Sequence, residues 1–426
     1  MASALSRVFA SGMQAAMWGL LQVDRYRNSL IFDVNGVESS QAMIRKLQSA
    51  GDIHRSYMVN GWVVVSHEDV KALLLDKRLS TAVFDNSLIR MLIRSAADGM
   101  VVPIVDYPTM LHTDQPDHTR LRKLSAQGFT NRFVQSLAPK IDQIVTDLLA
   151  AAGNEPAIDV MEVLAKPLPA IVIAEMLGVP VSDRHLFEAW STRLLGYTEV
   201  FDPDAMRGAV EGDLAMRVYL QELTEEKRAA PGDDLISVLL AAEEAGEHLD
   251  MDELLSLCTL LLVAGHETTT RLIGNCLSLL LDHPDQFTEV REDRSLVSAA
   301  IEESLRLEPP VMAVSRQVAT AFDYKGHRFR KGQMLLLSIA GANGDARVTP
   351  EPGAFNIHRP AFDHVSFGHG IHLCLGMPLA RLEADIALNR LLDTYAEISP
   401  GDRPPAWQDS PFFHGLDQLD IRVAPA

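Results

Sequence analysis

The sequence predicts a mainly α-helical fold with small β-sheets at its edges. Three observations carry this expectation. Helical patterning dominates from Pro116 to about Glu303, broken only by short Gly, Pro and Asp interruptions. Within it, an apolar run ending at Pro284 suits one long, buried helix. Strand-like runs lie outside that region, at Gly61 to Ser66 and after Pro309-Pro310.

Bulk properties set limits. Hydrophobic residues make up 47% of the 426-residue chain, ample for a sizeable core. No repeat or low-complexity linker divides it, so residues 1–426 read as one domain, with residues 1–40 a loosely ordered N-terminal segment. The length leaves no room for a fused electron-transfer module. A net charge of −19 argues against a nucleic-acid partner. A local basic face around Arg120, Arg122 and Lys123 stays open. The three cysteines, Cys258, Cys276 and Cys374, match no zinc spacing and fit a reducing, cytoplasmic setting. Cys258 and Cys276 sit in an apolar helical run and read as inert core. Phe9 to Leu21 is shorter than the ~20 residues that span a bilayer and includes Gln14. Arg7 is the only early positive charge and no clear cleavage site follows. We expect no integral membrane segment there, but a loosely docked amphipathic helix.

Taken in chain order, Gly61 to Ser66 reads as a strand and His67 to Leu75 as a short helix. His112 to Arg122 leads into an amphipathic helix on which His118 and Arg122 share a face. Asp250 with Glu253 is a capping box opening the long helix. It runs about thirty residues, roughly 45 Å. In its middle lies Ala264-Gly265-His266-Glu267-Thr268-Thr269. Gly265 costs ~1 kcal/mol against alanine inside a helix. We read Ala264 and Gly265 as making room beside the backbone. Thr268 follows Ala264 by one turn, so its hydroxyl faces that space, with Glu267 beside it. The alternative is that Glu267 pairs with a surface base while Thr268 bonds back to a carbonyl. Glu303 and Arg306 share a helix face. Short strands are expected at Val311 to Val318, Tyr324 to Arg328 and Met334 to Ile339.

The most informative stretch is Phe367-Gly368-His369-Gly370-Ile371-His372-Leu373-Cys374-Leu375-Gly376. It sets one cysteine directly before a helix whose first turn is marked by Pro378. A helix N-terminus favours an anionic sulfur. Haem iron is one metal that takes a single thiolate. Gly368 and Gly370 permit turn angles closed to other residues. Gly376 lets a flat cofactor lie against the helix start. Phe367 can cover the sulfur, and His372 offers a donor to an acidic group on the cofactor. A lone Cys in a Gly-rich loop would more simply be structural.

The whole pattern resembles the cytochrome P450 family, the haem-thiolate monooxygenases, and the resemblance runs from about residue 60 to the C-terminus. It implies haem b (iron protoporphyrin IX) held between the long central helix and the helix after the cysteine loop, with Cys374 on the iron. It implies that His118, Arg122 and Arg316 serve the haem propionates. Ala264 and Gly265 would form the oxygen-binding groove, and Glu267 and Thr268 its acid–alcohol pair. Glu303, Arg306 and Arg359, the last within Phe355 to Pro360, would form a structural network supporting the cysteine loop. The chain departs from the family pattern at Thr113-Asp114-Gln115-Pro116 and at Asn343-Gly344-Asp345-Ala346.

The implied activity is insertion of one oxygen atom of O2 into a C–H bond of a lipophilic small molecule such as a terpenoid, fatty acid, steroid or polyketide. No flavin or iron–sulfur motif is present, so electrons must come from a ferredoxin, or a flavodoxin, with its NAD(P)H reductase. Arg120 and Lys123 are candidates for the docking face. By analogy the pocket comprises Leu260, Val263, Ala264, Val311, Met312, Phe412 and Phe413, with the loop Met100 to Pro103. Two other readings stay open: a peroxide-driven peroxygenase, which has no need of the Glu267–Thr268 pair, and a non-catalytic haem-binding sensor.

Overall fold

The computed structural model describes residues 40–57, 60–85, 90–91, 93–94, 97, 99–153, 155–197, 202–242, 246–408 and 413–425. The segment Phe9 to Leu21 and Phe412 therefore lie outside the described residues. Helices dominate, as the patterning predicts.

The central helix spans Met251–Asp282, about 48 Å at the usual rise. Its start is fixed chemically. The Asp250 carboxylate accepts the Glu253 N–H at 2.8 Å, and Glu253 accepts the Asp250 N–H at 3.0 Å. Two N–H groups that the helix itself cannot satisfy are thereby paired. Pro284, in the first turn of Pro284–Glu292, stops it. Leu254, Leu255, Leu262, Leu272, Ile273 and Leu277 are buried around its circumference. Removing one such side chain, as in Leu262→Ala, costs about 2–5 kcal/mol. Helices Ala138–Ala151, Pro167–Met176, Val297–Leu307 and Met377–Thr394 pack against the same core.

A five-stranded sheet lies at one edge, in the order Ile53–Ser56, Gly61–Val64, Met334–Ser338, Ala313–Val318, Leu79–Ser80. Its one parallel pairing joins Gly61–Val64 to Met334–Ser338, so the helical body lies between these neighbours in sequence. The expected strand at Gly61 ends at Val64, because Ser66 leaves the sheet to cap helix His67–Leu74 through the Asp69 N–H. The single strand expected over Tyr324 to Arg328 is instead a hairpin, Phe322–Tyr324 with His327–Phe329. Lys325 and Gly326 adopt φ of 44° and 81° between them, the left-handed turn that reverses a chain. A second hairpin, Ala406–Trp407 with Leu416–Gln418, carries the C-terminal turn toward the central helix. Among the described residues no helix is long and apolar enough to cross a membrane.

Candidate active site

The cysteine loop is tied down at both ends. Ser366 donates to the Leu305 carbonyl at 2.6 Å, and Asn343 donates to Ser366 Oγ at 2.8 Å while accepting the Val365 N–H. The Cys374 N–H closes the loop on the Phe367 carbonyl at 2.9 Å. Gly368 and Gly370 have φ of 77° and 78°, which only glycine adopts without strain. A Cβ at Gly370 would also strike Leu75. Helix Met377–Thr394 begins directly after Gly376, with Pro378 in its first turn. The Phe367 ring lies under the Arg381 guanidinium, 4.7 Å away.

Cys374 is exposed in this loop. Although the side chain is open on one side, the protein crowded around the sulfur displaces water and pushes its thiol pKa up, opposed by the N–H groups of Gly376 and Met377 and by the charge of Arg122. The helix N-terminus expected to favour thiolate is present, and its Gly376 and Met377 N–H groups act in that direction. A bound metal ion deprotonates a thiol outright. Cys258 and Cys276 differ: both are fully buried, with thiols pushed up to about 12 by burial.

Next to the cysteine loop, basic side chains converge, with Asp114 as the nearby carboxylate that acts on His118, His372 and Arg316. His118 is buried on helix Asp117–Ala126, and neither ring nitrogen has a partner. Its ring lies 4.1 Å from that of His372. Burial depresses the His372 pKa to about 3, helped by repulsion from His118, Arg316 and Arg122. Arg316 is buried on strand Ala313–Val318, its pKa lowered to about 10 by burial. Burial holds Arg122 below its usual range too. Buried donors seldom go unpaired, so this cluster fits carboxylates supplied by a bound group. A Cβ at Gly376 would meet nothing within 4 Å, leaving room for a flat group at the helix start. Among the described residues no set of three or more His, Cys, Asp or Glu side chains could hold a metal ion. A metal carried in by a flat cofactor and held by Cys374 alone needs no such set. These residues fit haem.

The central helix presents its opening at Ala264, which is exposed between half-buried Val263 and Gly265. Thr268 lies on the same face, and its hydroxyl donates to the Ala264 carbonyl at 2.7 Å. Gly265 corrects the expectation. A Cβ there would come within 3.1 Å of Ile173, so its small size serves packing on helix Pro167–Met176 rather than the groove. One residue turns the helix by about 100°, enough to place Ala264 and Gly265 on different faces. Glu267 is buried, and its carboxylate sits 2.5 Å from Arg271 on the same helix. No hydrogen bond joins Glu267 to Thr268 among the described contacts. His266 is buried between Ser191 and the Lys166 carbonyl.

Of the pocket candidates, Leu260, Val263, Val311, Met312 and Phe413 are half-buried. Val311 pairs with Phe413 in an isolated bridge, bringing the C-terminal turn beside the entry to strand Ala313–Val318. Val263 packs on the main core. Met312 lines a separate cavity of about 30 Å3 with Ile44, Arg306 and Ala340. In the loop 100–103, Val101 is exposed and Val102 buried, with Pro103 opening the short helix Pro103–Asp106.

Glu303, Arg306 and Arg359 form one cluster. Arg306 binds the Glu303 carboxylate through two nitrogens at 2.8 Å, and Arg359 Nε adds contacts at 2.9 and 3.1 Å. The basic face needs a correction. Arg120 is ion-paired with Glu253 and lies 3.4 Å from Glu247, so its charge is compensated. Glu253 is the same residue that completes the capping box. Lys123 is exposed on that helix.

Several residues escaped the sequence reading. Asp114 accepts from the Thr81 N–H at 3.0 Å and from Ser80 Oγ. His112 has its pKa lowered to about 4, chiefly by burial. Arg271, one turn after Glu267, is another, and the i,i+4 spacing is the signal that could have found it.

Comparisons with known proteins agree with this geometry. A family model described as Cytochrome P450 matches residues 48–416. The chain is 41% identical over 382 residues to Cytochrome P450 107B1 of Saccharopolyspora erythraea, covering 87% of this chain and 92% of that one. It is 40% identical over 368 residues to the Vitamin D(3) 25-hydroxylase of Pseudonocardia autotrophica, covering 85% and 88%. The solved structure of CYP109Q5 from Chondromyces apiculatus superposes with a TM-score of 0.84 at 34% identity, covering 93% of this chain and all of that one. Proteins of this family bind haem b and use O2, a small-molecule substrate and a redox partner. The fold, the cysteine loop with its cluster of basic side chains and these matches together establish that the chain belongs to the cytochrome P450 family of monooxygenases.

Proposed function

We propose that this enzyme hydroxylates a lipophilic small molecule, with electrons from a separate ferredoxin and its NAD(P)H reductase. The observation that carries the reading is the exposed Ala264 in the middle of a buried helix, with Thr268 one turn on along the same face. Leu260, Val311 and Phe413 are apolar, half-buried pocket candidates, and no charged anchor stands among them. Vitamin D(3), which one relative hydroxylates by name, belongs to the same broad class of apolar molecules.

Haem, when bound, supplies dioxygen binding and oxidising power. The protein's own groups supply the rest. Cys374 would hold the iron as thiolate, with the Gly376 and Met377 N–H groups sharing its charge. His118, Arg122, His372 and Arg316 take the two carboxylates. The Thr268 hydroxyl, now donating to Ala264, turns to donate into the groove, and Glu267 replaces the proton it gives. Each O2 consumes two electrons and two protons, leaving one oxygen atom in the product and one in water. Lys123, exposed on the same helix as Arg120, stays a candidate for donor docking.

The test is turnover under 18O2 with a ferredoxin and reductase, using vitamin D(3) and testosterone as probe substrates. One labelled oxygen per product supports the reading. Thr268→Ala should lower product formed per NAD(P)H about tenfold or more, with peroxide released instead. Faster turnover with peroxide alone than with the donor would favour a peroxygenase, and indifference to Thr268→Ala a sensor.

A further inference from the structure

Arg271 has no part in the mechanism above, yet it is among the largest fully buried side chains, 2% exposed. Burying a guanidinium is costly unless its donors are met. Its partners belong to two different elements. One Nη lies 2.5 Å from Glu267 Oε1 and 3.3 Å from the Glu267 carbonyl. The other donates to Gln408 Oε1, and Nε has no partner. The guanidinium carbon sits 4.9 Å from the centre of the Phe413 ring. Gly415 makes the approach feasible, since a Cβ there would lie 2.3 Å from Arg271 Cγ. The same turn is fixed on its other side by the Val311–Phe413 bridge and by the His414 N–H on the Pro310 carbonyl at 3.0 Å.

Other charges surround the pair. His266 Nδ1 is 4.0 Å from the second Glu267 oxygen. Asp417 acts on Arg271 electrostatically and binds Lys166 at 3.1 Å. Glu267 therefore points along the helix at Arg271, while Thr268 faces the groove.

We propose that Arg271 is a positioning residue that restrains the Glu267 carboxylate and ties it to the C-terminal turn carrying Phe413, so that displacement of the turn releases the acid. Because Phe413 is a pocket candidate, occupation of the pocket becomes linked to proton supply. This deepens the proposed function and rests on Glu267 being its proton source.

The experiment uses haem-loaded protein, electrons from photoreduction and dioxygen as the only added reactant. Oxygen consumption without organic substrate is compared for wild type, Glu267→Gln, Arg271→Gln, Gln408→Ala and the Glu267→Gln/Arg271→Gln pair. Hydrogen exchange of residues 413–419 is measured on the same samples. Glu267→Gln should slow consumption. Arg271→Gln and the exposed Gln408→Ala should accelerate it by about threefold or more, and both should speed exchange of the turn. The paired variant should lose the acceleration. A purely structural arginine would give no acceleration and no dependence on Glu267. If Glu267→Gln slows the reaction but neither other variant accelerates it, the restraint is refuted while the proton-delivery reading stands. If Glu267→Gln has no effect, the reading beneath it fails. Gln408→Ala removes no buried group, so the test survives misfolding of Arg271→Gln. Unchanged exchange in that variant refutes the tie to the turn.

Discussion

Arg306→Ala probes the support beneath the cysteine loop. Arg306 and Glu303 are 2% and 5% exposed, so their pair is shielded from water. Arg306 also donates to the Pro352 carbonyl at 2.7 Å and the Ala354 carbonyl at 3.0 Å. Truncation leaves a buried carboxylate served by Arg359 and the Asn356 N–H alone, and two carbonyls lose a charged donor. Breaking a buried pair by removing one partner costs about 3–5 kcal/mol. Arg359 remains, so the lower end applies, about 3 kcal/mol. That is a large share of the roughly 5–15 kcal/mol by which proteins are stable. Urea unfolding followed by tryptophan fluorescence, with haem retention read in parallel, measures it. Arg306→Lys should fall between, because it keeps the charge but not the bidentate fork. A loss below about 1 kcal/mol, the scale of an exposed pair, would refute the view that this cluster anchors the loop.

Two further outcomes follow from buried groups. His118→Ala removes a donor from the carboxylate cradle. At about 1.5–3 kcal/mol for a hydrogen bond to a charged group, haem transfer to apomyoglobin should speed up roughly tenfold or more; an unchanged rate would remove His118 from the cradle. Glu383 is buried with no charged partner among the described residues, and burial pushes its pKa from 4.5 up to about 8. The folded state then binds a proton that the unfolded state has lost, so stability falls as pH rises from about 4.5 to 8, at about 1.4 kcal/mol per pH unit for this group. Glu383→Gln should remove that slope, visible as a smaller difference in unfolding midpoint between pH 5 and pH 8. An identical pH dependence in the variant would contradict it.

What was legible in the sequence was local. The cysteine loop shows in the sequence because its turn glycines and first-turn proline answer constraints within a few residues. The capping box at Asp250 and Glu253 is equally short-range. The misread features all depend on a distant neighbour. Gly265 looked like part of the groove because its contact, Ile173, lies on another helix. Arg120 looked like a free cation because Glu253 is far along the chain. Arg271 drew no reading from the sequence because Gln408 and Phe413 arrive from the C-terminal hairpin. The hairpin at Phe322 to Phe329 is a different failure. Lys325-Gly326 is a local turn signal, and the apolar and aromatic run masked it.

The central claim is that Cys374 holds haem iron as a thiolate. The most direct measurement is the difference spectrum of dithionite-reduced protein with and without carbon monoxide, for wild type and Cys374→Ser. We predict a strongly red-shifted Soret band in wild type that vanishes in the variant. A band typical of histidine- or thiol-ligated haem in wild type, or a red-shifted band that survives Cys374→Ser, would contradict the account.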